Sequence, residues 1–209
     1  GEWVSGVMCF DEYGEHRELH SCPARRSSDL RQYRHDPAPW AEIGSDQFIL
    51  TVPSHEIRDL DNPQDLMDWW DQALGMEHEL YGYTPWPRVE RAVFDAQISA
   101  GWMHSGYPFM AHDLSVAGVV NVSYMSENGD WGMFHELGHN HQWMPSTLPG
   151  TTETGCNFAS VYLMEDLVGV EGHGAVDPVQ RASRMRAYFD RSEARRVGTE
   201  CRSGWPPTH

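Results

Sequence analysis

The run from Trp131 to Gln142 carries the arrangement His135-Glu136-x-x-His139, and it constrains this chain more than any other feature. On an α-helix, residues four apart lie about 40° apart around the axis, so His135 and His139 leave one face together and can share a metal ion. Glu136 lies about 100° round from His135. Its carboxylate can therefore miss the metal and still reach a water beside it, as a general base must. Helix signals surround the run. Gly129-Asp130 marks a turn and an acidic start, and Phe134, Leu137 and Gly138 suit a helix packed closely against a sheet.

The third ligand sets the subclass, because a structural zinc closes four positions with protein groups and a catalytic one keeps three and leaves one open. The pattern with a third His after a Gly would need those residues at positions 145 and 142, where Pro145 and Gln142 stand. His141 points about 200° away from His139, which makes it a poor ligand and reads as an orienting or surface histidine. Downstream, Pro145 and Pro149-Gly150 break the helix, and the stretch from Thr151 reads as a loop opening a second helix with Glu153 at its start. A chain turning back in this way can bring Glu153 to the metal, completing a two-His, one-Glu set for a single zinc ion. Glu165 and Asp166 are the competing carboxylates. Asn157, one turn beyond Glu153, is placed to orient a ligand.

Three blocks, Gln97 to Pro108, Trp131 to Gln142 and Glu153-x-x-x-Asn157-x-x-Ser160, resemble in order and spacing the enhancin-like, mucin-targeting metallopeptidases of the gluzincin clan. The resemblance runs from about Ala41 to Val170. It implies a zincin-like fold, metal on His135, His139 and Glu153, and Glu136 as the base. It further implies a secreted or cell-surface endopeptidase whose partner is a glycoprotein substrate, in many members an O-glycosylated mucin. Some members carry the fold in an accessory role, so a glycoprotein-binding module with a retained metal site is the alternative. The segment Gly101 to Pro108, which carries Trp102, His104 and Tyr107 along with Gly101 and Gly106, can run as an extended wall of the cleft. A Tyr or His donor there, or Tyr162, could stabilise an oxyanion, and the residues leave that choice open.

Around the motif, residues 47–52 read as a strand stopped by Pro53, followed by a Pro63-started helix through Leu66, Met67, Trp70 and Leu74. Residues 89–98, 107–110 and 115–122 read as further strands or extended segments, residues 157–168 as a helix and residues 179–189 as a last one. Strands before helices indicate an α+β domain whose mixed sheet supports the active-site helix, with the chain expected to end before a C-terminal helical lobe is complete.

Residues 21–30 and 191–209 resemble conceptual translations of sequencing adapters, so residues 1–30 and 191–209 are set aside and residues 31–190 are read as the catalytic domain. That part holds 23 acidic against 8 basic residues, every one of them Arg. Such a surface repels nucleic acid and anionic membranes. No stretch has the apolar length of a membrane span, and no signal-peptide pattern heads the chain.

Overall fold

The computed structural model describes residues 6–10, 34–35, 37–82, 88–171 and 181–191. The chain divides into two units, Gly1–Val170 and Glu171–His209.

The first unit is built on a six-stranded mixed sheet. Its strands are β1 (Gly6–Phe10), β2 (Trp40–Gly44), β3 (Phe48–Pro53), β4 (Glu90–Asp95), β5 (Met103–His104) and β6 (Phe109–His112), in the order β1-β2-β3-β4-β6-β5. β3, β4 and β6 run parallel, and β1, β2 and β5 pair antiparallel with their neighbours. The strand expected at 47–52 is β3. Its alternation puts Phe48, Leu50 and Val52 on the buried face, and Pro53 ends it because it has no N–H to give the ladder. β2 and β5 carried too few apolar residues to be read as strands; each forms because a neighbour offers a ladder edge. β1 lies within the segment set aside above; the rest of residues 1–30, and residues 192–209, lie outside the described residues.

Ser45 makes the tight β2–β3 turn, its Oγ accepting from Gln47 N at 3.2 Å and Phe48 N at 3.0 Å. The same hydroxyl donates to Asp71 Oδ1 on the facing helix, whereas the buried Oδ2 has no partner among the described residues. Burial above all raises this carboxyl from 3.8 to about 6, with Asp68 and Asp46 adding to the effect and the Ser45 bond opposing it. A carboxyl raised on folding contributes most to stability below its unfolded value of 3.8, and that contribution is lost as pH climbs towards 6. Asp71→Asn should therefore stabilise the fold at pH 7 by about 2 kcal/mol, with the gain gone near pH 4. Urea unfolding at the two pH values checks this.

Helix α1 (Pro63–Tyr81) starts on Pro63 at the first position, where a missing N–H costs nothing, and ends on Gly82 at φ 71°. Leu66, Met67, Trp70, Ala73 and Leu74 recur at helical spacing and lie against the sheet. Trp70 meets Phe48 with ring centroids 5.2 Å apart, and its Nε1 donates to Val119 O at 3.3 Å, so the largest core side chain leaves no polar atom stranded. The helix runs past Leu74, taking Glu77 and His78 into the interior.

The stretch 115–122, read above as extended, is helical: α2 (Val116–Val119) and α3 (Val122–Asn128). Its valines suggested a strand, but Val116 and Val119 are buried at helical spacing and Asn121 caps α3 by accepting from Tyr124 N at 3.1 Å. Helix α4 (Trp131–His141) begins as expected, with Asp130 Oδ1 accepting from Met133 N at 2.9 Å. Helix α5 (Thr152–Tyr162) starts five residues before the 157 expected for it and continues as a π-helical stretch over Leu163–Val168. Gly155 weakens the local helix signal; packing against α4 overrides it.

In the second unit, a helix α6 over 181–191 exposes Met185, Tyr188 and Phe189.

Candidate metal centre

Helices α4 and α5 cross at Gly138, not at the sheet as its sequence context suggested. A Cβ there would stand 2.6 Å from Cys156 O and 3.1 Å from Ala159 Cβ. Only glycine allows this approach, and it brings the first turn of α5 over the histidine face of α4. Tyr81 supports the turn from α1 by donating its hydroxyl to Gly155 O at 3.0 Å.

Three atoms converge there. His135 Nε2 lies 3.1 Å from His139 Nε2 and 3.1 Å from Glu153 Oε2, and His139 Nε2 lies 3.4 Å from the same oxygen. A tetrahedral ion with bonds of about 2.0–2.1 Å needs ligand atoms about 3.3–3.4 Å apart, so the triangle fits zinc. The far nitrogens fit as well. His135 Nδ1 donates to Asn157 Oδ1 at 2.7 Å, which leaves Nε2 with its lone pair facing the triangle.

His139 Nδ1 lies 2.7 Å from Gln142 Nε2, while the buried Gln142 Oε1 has no partner among the described residues. A half-turn of the amide gives Oε1 the Nδ1 proton and puts the His139 lone pair on Nε2. Gln142 was not anticipated. Its only sequence signal is its place three residues after His139.

Cys156, also not anticipated, is buried beside the triangle, with Sγ 3.4 Å from His139 Nε2. It is as near to His135 Nδ1, at 3.4 Å, as to Nε2, at 3.6 Å, so it flanks the imidazole instead of lying beyond its tip. A fourth ligand on an ion held by Nε2 would stand about 5 Å or more from Nδ1. Burial, then Glu153 and Glu136, push the thiol up to about 12, and it donates to Glu153 O at 3.1 Å. The group gathered here is thus two imidazoles and one carboxylate, with the Cys156 thiol alongside. Glu165 and Asp166, in the π-helical stretch, lie outside the only such cluster among the described residues.

Glu136 is 8% exposed and follows His135 on α4. His141 is fully buried on the far side, where its Nδ1 donates to Leu137 O and Glu77 Oε2, each at 2.9 Å. Burial raises Glu77 and lowers His141, so it disfavours the charged form of each partner in this contact.

Of the residues expected in a cleft wall, Trp102 is 53% exposed and stacks on His112 with centroids 4.6 Å apart. Tyr107 is 47% exposed under the Arg88 guanidinium, 3.7 Å from its ring centre. His104 donates from Nδ1 to Ser105 O at 3.0 Å and accepts at Nε2 from Ser99 Oγ at 2.9 Å, which leaves no N–H for an oxyanion. Tyr162, at the end of α5, is half-buried and has no hydrogen bond to the triangle among the described residues.

The chain is 42% identical over 162 residues to the TRPM8 channel-associated factor 2 of Bos taurus, which covers 74% of this chain and 18% of that protein. It therefore spans about a fifth of that relative's length. Its fold matches a metallopeptidase from Bacteroides thetaiotaomicron with a TM-score of 0.59 at 16% identity, over 77% of this chain and 27% of the other. A metallopeptidase in complex with Tn antigen matches with a TM-score of 0.57 at 17% identity, over 68% and 27% of the two chains. These likenesses establish an α+β fold of the metallopeptidase catalytic-domain type. Since residues 29–199 match the family described as Peptidase M60, enhancin and enhancin-like, the chain belongs to that family.

Proposed function

We propose that this chain is a zinc-dependent endopeptidase acting on glycoproteins, with O-glycosylated, mucin-type segments as substrates, at the cell surface or secreted. The observation that carries the reading is the convergence of His135 Nε2, His139 Nε2 and Glu153 Oε2 within 3.4 Å, with Glu136 buried on the same helix. His135, His139 and Glu153 would hold the ion, oriented by Asn157 and Gln142. When bound, zinc supplies Lewis acidity that polarises a carbonyl and lowers the pKa of water towards about 7. Glu136 takes the proton of the attacking water and hands it to the leaving amine. The exposed faces of Trp102 and Tyr107 offer surfaces on which peptide and sugar can pack.

A glycan-bearing substrate is supported by the matching fold of a metallopeptidase bound to Tn antigen. A second reading, an accessory module that binds glycoproteins without cutting them, is favoured by the 42% identity to a channel-associated factor. The two separate when purified protein is incubated with matched peptides, with and without an O-linked sugar, in the presence or absence of a chelator, and products are mapped by mass spectrometry. Chelator-sensitive cleavage beside the sugar is expected, with the bare peptide slower by at least about tenfold. Equal rates would leave a general endopeptidase, and silence from the fully zinc-loaded protein would favour the accessory reading or a catalytic lobe outside this chain.

A further inference from the structure

The cleft wall touches α4 at two places. A Cβ on Gly132 would stand 2.9 Å from Met103 Sδ, so β5 lies directly against the start of the helix. Near the other end, Asn140 grips Gly106. Its Oδ1 accepts from Gly106 N at 3.0 Å and its Nδ2 donates to Gly106 O at 3.0 Å, the paired bonds that a neighbouring strand would make. Gly132 and Asn140 are eight residues apart, about 12 Å along a helix, and Met103 to Gly106 spans at most about 10 Å. The wall therefore follows α4 past His135, Glu136 and His139.

The grip is anchored from below. Asn140 Nδ2 also donates to Glu90 Oε2 at 3.1 Å, and Glu90, almost fully buried at the start of β4, accepts at Oε1 from Arg88 at 3.5 Å. Arg88 lies over the Tyr107 ring, which closes a circuit from the helix through β4 and back to the wall. Gly106 has φ 136°, a backbone state that a side chain would oppose, so an external partner is needed to keep this turn in one conformation.

We propose that Asn140 is a positioning residue that docks the substrate wall onto the histidine-bearing helix, with Glu90 holding its amide in register. The inference rests on the peptidase reading for its kinetic consequence but not for its structural one. A wall held at a set distance from Glu136 presents an extended peptide to it in one register; released, the wall binds substrate more weakly without altering the chemistry.

The test compares zinc-loaded wild type, Asn140→Ala and Asn140→Asp by amide hydrogen exchange and steady-state kinetics. Asp fills the same space and keeps an acceptor for Gly106 N–H, but it loses both donated bonds and sets a carboxylate against Glu90, so it breaks the contacts without opening a gap. We expect peptides covering 102–108 to exchange at least about tenfold faster in Asn140→Ala, and likewise in Asn140→Asp, whose carboxylate would face Gly106 O and Glu90. Peptides within 131–141 and the zinc content should be unchanged, and KM should rise about tenfold with kcat held within about twofold. Unchanged exchange at 102–108, or an equal increase across 131–141, would overturn the proposal. If wild type cuts nothing, the peptidase reading fails and exchange alone still decides the role of Asn140.

Discussion

Glu136→Gln should keep one zinc per chain and lose nearly all turnover, a fall of about 10²–10⁴ in kcat, the usual range for a positioned general base. The side chain is 8% exposed, sits one residue after His135 and is not among the converging donor groups. An amide fills the same space and cannot take a proton, so the variant tests the base alone. Metal analysis and single-turnover cleavage of a glycosylated peptide are the two measurements. Full zinc with unchanged turnover would sink the hydrolytic mechanism.

The second large effect is on metal affinity. Glu153→Ala removes the only carboxylate in the triangle and should weaken zinc binding by more than the 10–100-fold typical of an orienting partner. Asn157→Ala, which removes only the acceptor of the His135 Nδ1 proton, should fall within that range. Cys156→Ser should hold zinc nearly as well as wild type, since its sulfur flanks His135 instead of lying beyond Nε2. Competition with a chromophoric chelator ranks the three. Full zinc affinity in Glu153→Ala would shift the third-ligand role to Glu165 or Asp166, and a large loss in Cys156→Ser would mean that the thiol enters the coordination shell.

Much of this was legible in the chain. The His-Glu-x-x-His helix could be read because a 3.6-residue period ties spacing to direction, and its start because Asp130 follows a turn glycine. Alternating apolar residues announced β3, and Pro63 with its following apolar stripe announced α1. These features depend on neighbours in sequence, and local geometry alone dictates them. Glu153 was reachable in the same way, as an acid at the start of a helix that turns back.

Other features depend on contacts across the chain. That valines at 116–122 build two short helices was decided by burial of Val116 and Val119 and by the Asn121 cap, since β-branched residues favour strands only where a ladder edge is available. β5 is two residues long and exists because β6 offers it an edge. Cys156 and Asn140 reach their partners over turns and helix crossings that no period encodes, and Gln142 reaches His139 from a cap position whose backbone has left the helix. The sequence by itself determined a helix able to present two imidazoles and a carboxylate in fixed directions, within an α+β domain. Only the tertiary structure decided that α5 approaches closely enough, across the bare backbone of Gly138, to bring Glu153 to both histidines, because that separation is set by the packing of one helix on another and by no residue's own preference.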